Sequence, residues 1–592
     1  MDGTLRKVFA QAVVVLLLLQ VVLPAHSQTS RATTYYVSKT ADDGSVGTLR
    51  WAIDSANLSP GPHSIEFDIP VTPADCPDGV CIITPISVLP SVISAGITID
   101  ATTQTANRGN TNIFGPEVQV DGSSLGSTAW IFRVESNDNT IKGFAINGAG
   151  GSGIKIVSGA SNNTISDNYI GLLPNGLFAD GNGNGVEIYD ASSDNIVSGN
   201  LIMGNTGDGV WIAGSGTDRN QIQANQIGGE SLPNGRHGVH ILNGPCCTVV
   251  GGSIAHKNVI IRNVMHGVYL TGAGTTDNAV SHNHIGIGWW GLTAAGNGQS
   301  GVALDDGAAQ NSIHDNVISG NQGHGVYILG SSTHENLLYA NIIGADAGVT
   351  KEVPNGLHGV AIYGGAHGNS VGDWGAEIWS PSATGALDDA GPPTGNVIVG
   401  SGWSGVAIVG SSQNAVMFNR IGIDFGGGGS ILANAYYGVV VEGMDNTIGP
   451  GNTIAYNPLD GVLVDGQAYT SQRNLITGNS IHSNGGKGID LRNNGNMELN
   501  APTISAASCA QVLGSSPCVG CTAEIFSDRA DEGSVYQGST EIHPISLAFE
   551  WSGRVLGPNV TATVSDSQGN TSEFSSPAVG ACYLAFLPYV ER

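Results

Sequence analysis

The chain has 592 residues, of which 88 are glycine and only 12% are Asp, Glu, Lys or Arg, and its formal net charge is −27. So acidic a protein lacks the basic surface that binding to nucleic acid phosphates requires, and acidic membranes repel it. A negatively charged polysaccharide would need a calcium ion or a local basic groove, so neutral glycans are the easier partners. The sequence indicates no other cofactor.

Residues 1–27 have the pattern of a secretory signal peptide. Arg6 and Lys7 precede an apolar run from Val8 to Leu23, and Ala25-His26-Ser27 is a small-residue cleavage site. The apolar run is short for a membrane span of about 20 residues. We therefore expect a secreted or cell-surface protein that has no transmembrane segment after cleavage.

Residues 28–128 are predicted to form an N-terminal cap and the first coils of a repeat domain. Residues 34–37 are typical of a strand, and residues 49–56 place their apolar side chains on one helical face after Thr48, a suitable N-cap. A stack of strands that ends without a cover exposes unpaired edges, so a cap is expected.

Residues 129–500 repeat the phrase Asn-x-(Ile/Val/Leu)-x-x-Asn-x-Ile, and a Gly-(Val/Ile) step follows each copy. β-branched residues suit short strands, and Asn and Gly tolerate tight corners. The repeat predicts a solenoid of parallel strands in which Asn side chains of successive coils stack into a ladder. The copies occupy residues 163–170, 195–202, 220–227, 278–285, 311–318, 336–343, 414–421 and 474–481.

Alternate coils carry a loop after an Ile-Gly pair, as in Ile170-Gly171 and Ile285-Gly286. Insertions on one face of a solenoid often form its binding face. Solvated decoration without a function is an equally good interpretation of these loops.

Residues 501–582 lack the repeat and contain alternating strands. Residues 559–574 resemble the last strands of bacterial immunoglobulin-like modules, and this resemblance implies a small β-sandwich. Residues 583–592 form an apolar tail, either a final strand or a sorting element.

Residues 130–500 resemble the right-handed parallel β-helix repeats of the pectate-lyase-like superfold, and more narrowly those of large secreted bacterial repeat proteins. Gly47 to Ile53 is similar to a Gly-Ser/Thr-Leu-Arg-x-Ala-Ile motif that starts the rod in such proteins. The expected fold is therefore all-β: a right-handed parallel β-helix solenoid with an N-terminal cap and a small C-terminal β-sandwich. The superfold includes lyases, hydrolases, epimerases, tailspikes and adhesins, so the fold alone assigns no function.

The even number of eight cysteines suits an oxidising compartment. Cys76 and Cys81 are predicted to close a small loop, and Cys246-Cys247 are either free thiols or a vicinal bridge. Two further bridges are predicted among the four remaining cysteines, Cys509, Cys518, Cys521 and Cys582. No Cys/His spacing typical of a metal site is present, so no metal ligand is predicted.

Four histidines precede Gly-Val steps and would share one column of the rod: His237, His266, His324 and His358. Stacked His side chains suit a metal, a sugar or acid–base chemistry. The alternative is a polar corner at which His replaces Asn, since a working site also needs convergent partners.

Asp305-Asp306 and Gly323-His324-Gly325 resemble two of the motifs of polygalacturonases, a family whose paired carboxylates act as acid and base. The family's Asn-Thr-Asp and Arg-Ile-Lys motifs are missing here, and Asp305-Asp306 follow a strand instead of preceding one. The catalytic candidates are therefore Asp305, Asp306, His324 and His358, without an intact family motif around them.

Trp289-Trp290 in a loop and Trp374, Trp379 and Trp403 around an irregular insertion suggest a platform for sugar rings. The alternative is that they cover an apolar edge. Our leading hypothesis is a protein that binds extracellular or cell-surface polysaccharide. The alternatives are a polysaccharide lyase, glycoside hydrolase or epimerase, and a purely structural or adhesive surface protein.

Overall fold

The computed structural model describes residues 32–372, 395–424 and 432–580, and it is a parallel β-helix. The chain winds through three parallel sheets in turn, so that each coil adds one short strand to each sheet. Strands that are consecutive within a sheet pair in register, as Val186 does with Val210. This architecture confirms the predicted solenoid.

Sheet 1 starts each coil. Its strands are Thr33–Val37, His63–Phe67, Ile97–Asp100, Thr140–Lys142, Thr164–Ser166, Ile196–Ser198, Gln221–Gln223, Val249–Gly251, Ala279–Ser281, Ser312–His314, Leu337–Tyr339, Ser370–Val371, Ala415–Val416, Thr447–Ile448 and Leu475–Ile476.

Sheet 2 follows after a tight turn. Its strands are Cys81–Ile83, Val118–Asp121, Phe144–Asn147, Tyr169–Ile170, Leu201–Ile202, Gln226–Ile227, Val259–Ile260, His284–Ile285, Val317–Ile318, Ile342–Ile343, Val397–Ile398, Arg420–Ile421, Thr453–Ala455 and Ser480–His482.

Sheet 3 closes each coil. Its strands are Phe132–Val134, Ser152–Ile156, Asn184–Ile188, Val210–Ala213, Val239–Leu242, Val268–Thr271, Val302–Asp305, Val326–Leu329, Val360–Tyr363, Val406–Val409, Val439–Glu442, Val462–Asp465 and Ile489–Arg492.

The core lies inside the coil and is built from Val, Ile and Leu side chains that stack from one coil to the next. In the strand Val326–Leu329, Val326 and Ile328 are fully buried, whereas Tyr327 points outward and is half-buried. This alternation follows from the period of two in a strand. It decides which side chains reach the outer surface of sheet 3.

Three ladders of buried Asn side chains run along the corners of the coil, which confirms and extends the predicted Asn ladder. Asn163 Nδ2 donates to Asn195 Oδ1 at 2.9 Å before sheet 1. Asn168 does the same to Asn200 before sheet 2, at 3.1 Å. A third ladder precedes sheet 3. Each amide thereby satisfies its neighbour and the backbone of the corner.

The N-terminal end is capped as expected. The helix Leu49–Ala56 buries its apolar face, and Thr48 is its N-cap, with Oγ1 accepting from the backbone N–H of Trp51 at 3.2 Å. The sequence did not predict the second helix, Thr102–Arg108. Short 3₁₀ turns occupy Pro77–Gly79, Ile254–His256 and Gly495–Glu498.

The C-terminal segment forms two small antiparallel sheets that close the other end of the rod. One contains Thr503–Ala507, Gln511–Ser515 and Ala548–Ser552, and the other contains Val535–Glu541, Thr522–Asp528, Asn559–Ser565 and Ala578–Val579. Phe574 packs against the core of the solenoid, and Glu532 accepts from Asn484 Nδ2 at 3.2 Å. The likeness to immunoglobulin modules stays a prediction.

The predicted bridge between Cys76 and Cys81 is present, and Cys518 is bonded to Cys521. Cys246 and Cys247 are free thiols, which excludes the vicinal bridge. The signal peptide, Cys582 and the apolar tail lie outside the described residues. Within the described ranges, the two helices are too short and too polar to cross a membrane.

Candidate functional site

Ring-bearing side chains follow one another along the outer face of sheet 3. Trp211, His240 and Tyr269 are register partners on successive strands, and Tyr327 follows two strands further on. The rings of His240 and Tyr269 are stacked with their centres 5.0 Å apart. We call this surface, from the coil of Trp211 to the coil of Trp403, the ring face.

The column of residues before the Gly steps runs beside these rings, and three of its four histidines bind the backbone, whereas Nδ1 of His324 is buried and has no hydrogen-bond partner among the described residues. His237 Nδ1 accepts from the N–H of His266 at 3.3 Å, and His266 Nδ1 accepts from the N–H of Ser300 at 3.1 Å. His358 Nδ1 accepts likewise from Ser404, at 3.2 Å. Asn184 plays the same part on an earlier coil, where its Oδ1 accepts from Asp208. His therefore does replace Asn at a polar corner.

These contacts also fix the tautomers of the three histidines. A neutral ring whose Nδ1 accepts carries its proton on Nε2, so His237, His266 and His358 are N–H donors. Burial lowers the pKa of His237 to about 3 and the pKa values of His266 and His358 to about 4. Burial also lowers the pKa of His324 to about 3. The four rings are therefore uncharged near pH 7.

Asp208 and His240 form a buried pair on the same face. His240 Nδ1 lies 3.0 Å from Asp208 Oδ2, and Asp208 Oδ1 accepts from the backbone N–H of His237 at 2.9 Å. Burial alone would raise the pKa of Asp208, but the hydrogen bond and charge of His240 outweigh it and hold that pKa below its usual value. Within the described part of the chain, His240 Nε2 is buried and has no hydrogen-bond partner.

Tyr269 lies against three of these histidines and reaches across to the next strand. Its hydroxyl donates to the carboxylate of Asp305, with 2.8 Å to either oxygen. Burial raises the pKa of Tyr269 to about 12. The phenol therefore keeps its proton at neutral pH, and the carboxylate of Asp305 acts as the acceptor.

The sequence candidates for catalysis divide between two places. Asp305 belongs to the ring face, whereas Asp306 lies in the exposed turn that follows, with a left-handed φ of 49°. His324 and His358 stack on each other, their ring centres 5.5 Å apart and their planes 3° from parallel. The paired carboxylates of the polygalacturonase comparison are thus not found as a pair facing one cleft.

The tryptophan candidates divide in a similar way. Trp403 joins the ring face, where it meets the ring of His358 edge-on at 5.1 Å and is 47% exposed. Trp289 and Trp290 are exposed in a loop after sheet 2, and Lys257 Nζ lies 5.5 Å from the ring centre of Trp289. Trp374 and Trp379 lie outside the described residues.

Two groups of possible metal ligands escaped the sequence reasoning. Asp208, His237 and His240 form one, and the other consists of His282, His314 and Asp315; within each group the ligand atoms lie within 4.8 Å of one another. Members of a group come from neighbouring coils, about thirty positions apart in the sequence. Short Cys/His spacings in the sequence do not reveal such groups, because their residues come together only through the alignment of neighbouring coils.

Residues 105–285, 178–343 and 428–516 match the family model described as the right handed beta helix region, and together they cover more than half of the chain. The chain therefore belongs to the right-handed β-helix family. No curated protein matches its sequence.

Solved structures are similar to this chain at low identity. The A-module of the mannuronan C-5 epimerase AlgE4 from Azotobacter vinelandii is 14% identical, over 78% of this chain and 98% of that one, with a TM-score of 0.38. The Dettilon tailspike protein is 14% identical over 92% and 79%, with a TM-score of 0.35. An alginate lyase from Paenibacillus sp. str. FPU-7 is 14% identical over 57% and 94%, with a TM-score of 0.28.

Proposed function

We propose that the protein binds a strand of neutral polysaccharide along the ring face, with its axis parallel to the rod. The observation that carries this proposal is the recurrence of ring-bearing side chains along sheet 3 from Trp211 to Trp403, interrupted at the coil of Ala303. Aromatic side chains offer a flat apolar surface with a polar edge. Sugar rings present the complementary combination of a C–H face and hydroxyl groups at the rim.

The polar groups of the ring face suit an uncharged ligand. His237 and His266 are donors in a fixed tautomer, and Asp305 is an acceptor beside them. A few such groups among apolar rings set the orientation of a ligand. The low pKa values of the column histidines keep them neutral, so they supply no positive charge for an acidic chain.

The length of the face favours a polymer. The ring face spans seven successive strands of sheet 3, so six strand spacings separate its ends. At the ~4.8 Å spacing of neighbouring strands, the ring face is ~29 Å long. A single sugar would cover only a small part of it. Because residues 1–27 are predicted to be a secretory signal peptide, we propose that the polysaccharide is bound outside the cell.

Affinity electrophoresis in gels that contain neutral plant or microbial polysaccharides tests the proposal. The wild-type chain should be retarded by at least one neutral polymer, and Tyr269→Ala and Tyr327→Ala should each weaken the retardation several-fold. Tyr36→Ala, at an exposed tyrosine in the N-terminal cap, is the matched control and should migrate like the wild type. Equal retardation of all four proteins would show that binding occurs elsewhere.

Catalysis on a bound polysaccharide is the second candidate function. It is favoured by the Tyr269–Asp305 hydrogen bond beside the Asp208–His240 pair, which sets a proton donor, an acceptor and an oriented imidazole on one surface. An assay for new reducing ends and for the ultraviolet absorbance of unsaturated sugars tests it. Activity that Asp305→Asn abolishes and the exposed control Asp54→Asn preserves would support it, and the reverse pattern would exclude this assignment.

A further inference from the structure

The two groups of possible ligands differ in the lone pairs that they can offer to a metal ion. In the first group, both oxygens of Asp208 already accept hydrogen bonds, and the Nδ1 lone pair of His237 accepts from the backbone N–H of His266. An ion at that place would have to displace these bonds. In the second group one oxygen of Asp315 accepts from His314, but each histidine keeps a nitrogen lone pair for a ligand.

The second group lies at the corner between sheet 1 and sheet 2, away from sheet 3. Ser281 pairs with His314, so His282 and Asp315 occupy the same turn position in successive coils. Both have left-handed backbones, with φ of 59° and 54°. The flanking coils carry smaller residues at this turn, Gly252 and Ala340. His and Asp are among the residues that tolerate this conformation, so they fit the turn without special strain.

The hydrogen bonds of this group leave nitrogen lone pairs for a ligand. His314 Nδ1 lies 2.7 Å from Asp315 Oδ2, so the ring donates there and its Nε2 is the free acceptor. His282 Nδ1 is buried and, among the described residues, has no hydrogen-bond partner. A buried nitrogen without a partner is costly unless something binds it.

The ring geometry is close to that of two imidazoles on one ion. The ring centres of His282 and His314 lie 6.2 Å apart and their planes are nearly perpendicular. With metal–nitrogen bonds of about 2.0–2.1 Å, two rings on one tetrahedral ion have centres roughly 5 Å apart, so an approach of roughly 1 Å suffices. The ring of Tyr339 is stacked on His314 at 4.8 Å and holds its plane.

We propose that His282, through Nδ1, and His314, through Nε2, bind a divalent transition-metal ion such as Zn²⁺, while the carboxylate of Asp315 holds the His314 ring at Nδ1. Imidazole nitrogens are donors that suit Zn²⁺ and its neighbours in the first row, and water can complete the coordination. The contact between Asp315 and His314 is the carboxylate–histidine arrangement that orients a metal ligand. The ion would join two successive coils at a corner that the proposed polysaccharide site does not use.

Titration of the chelator-treated full chain with Zn²⁺ in a calorimeter tests the proposal. The wild type should bind one ion in the tightest step, and His314→Gln and His282→Asn should each lose that step. Asn is chosen at position 282 because it tolerates the left-handed backbone. Asp315→Asn should weaken the affinity by about 10- to 100-fold.

His334→Ala is the matched control, since His334 and His367 are also stacked, at 5.3 Å, with Glu335 close by, but they do not form a convergent ligand group. This variant should keep the tight step. An unchanged titration of His282→Asn would overturn the proposal, as would loss of the step in Asp208→Asn instead. If His314→Gln does not fold, His282→Asn decides the question.

Discussion

Replacement of a single ladder residue, Asn200→Leu, should open the rod locally. Asn200 is buried, accepts from the backbone N–H and the side-chain amide of Asn168, and donates to Ile165 O, Ser198 O and Asn225 Oδ1. Leucine has a similar shape but offers none of these bonds. The substitution therefore leaves polar groups of two coils unpaired in the interior.

The size of the effect follows from those unpaired groups. The backbone N–H of Asn168 and the carbonyl of Ile165 are the two that lose this partner inside the core. At about 1–3 kcal/mol for each buried group left unsatisfied, the local free energy of opening should fall by about 2–6 kcal/mol. Because contacts in a solenoid are made mainly between neighbouring coils, the loss should stay near this coil.

Amide hydrogen exchange read by mass spectrometry measures that local free energy. Peptides that cover residues 164–170 and 196–202 should exchange at least about thirtyfold faster in the variant, since 1.4 kcal/mol corresponds to a factor of ten. Peptides from the N-terminal cap should not change. Asn110→Leu, at an exposed position, is the control. Unchanged exchange in Asn200→Leu would refute the view that the ladders hold the coils together.

Three further predictions concern stability. Gly209→Ala should lower the midpoint of urea unfolding, because a Cβ there would meet Gly238 O at 2.6 Å, whereas Gly126→Ala, with nothing within 4 Å, should leave it unchanged. The pKa of His358 is about 4 in the folded chain, so the unfolded chain binds more protons between pH 4 and 6.5, and the free energy of unfolding falls as the pH drops through that window. His358→Asn can keep the backbone hydrogen bond, as Asn184 does on its own coil. In urea titrations this variant should therefore lose less stability over that pH range than the wild type. Burial raises the pKa of Glu532 to about 7, so the folded chain binds more protons between pH 4.5 and 7, and the free energy of unfolding falls as the pH rises through that range. Glu532→Gln should remove the contribution of this carboxyl to that fall, measured by urea titration at several pH values.

The sequence was sufficient to predict the coil, the Asn ladder and the N-terminal helix because each depends on short-range pattern. A period in Asn and Ile specifies strands and corners, and Thr48 specifies where its helix begins. These features repeat or cap locally, so no knowledge of distant contacts is needed.

The candidate sites were harder to predict because they depend on contacts between coils. His240 reaches Asp208 only because Asp208 lies just before the strand Val210–Ala213, which is the neighbour of the His240 strand in sheet 3. His282 and His314 meet across a coil whose length varies along the chain. The column of histidines was found from sequence, but its backbone hydrogen bonds and tautomers required the actual register of the coils.

Hydrogen exchange of the wild-type chain with and without a retained neutral polysaccharide tests the central claim most directly. The account predicts slower exchange in the sheet 3 strands from Val210–Ala213 to Val406–Val409, with no change in the loop that carries Trp289 and Trp290. Protection confined to that loop, or to the C-terminal sheets, would contradict binding along the ring face.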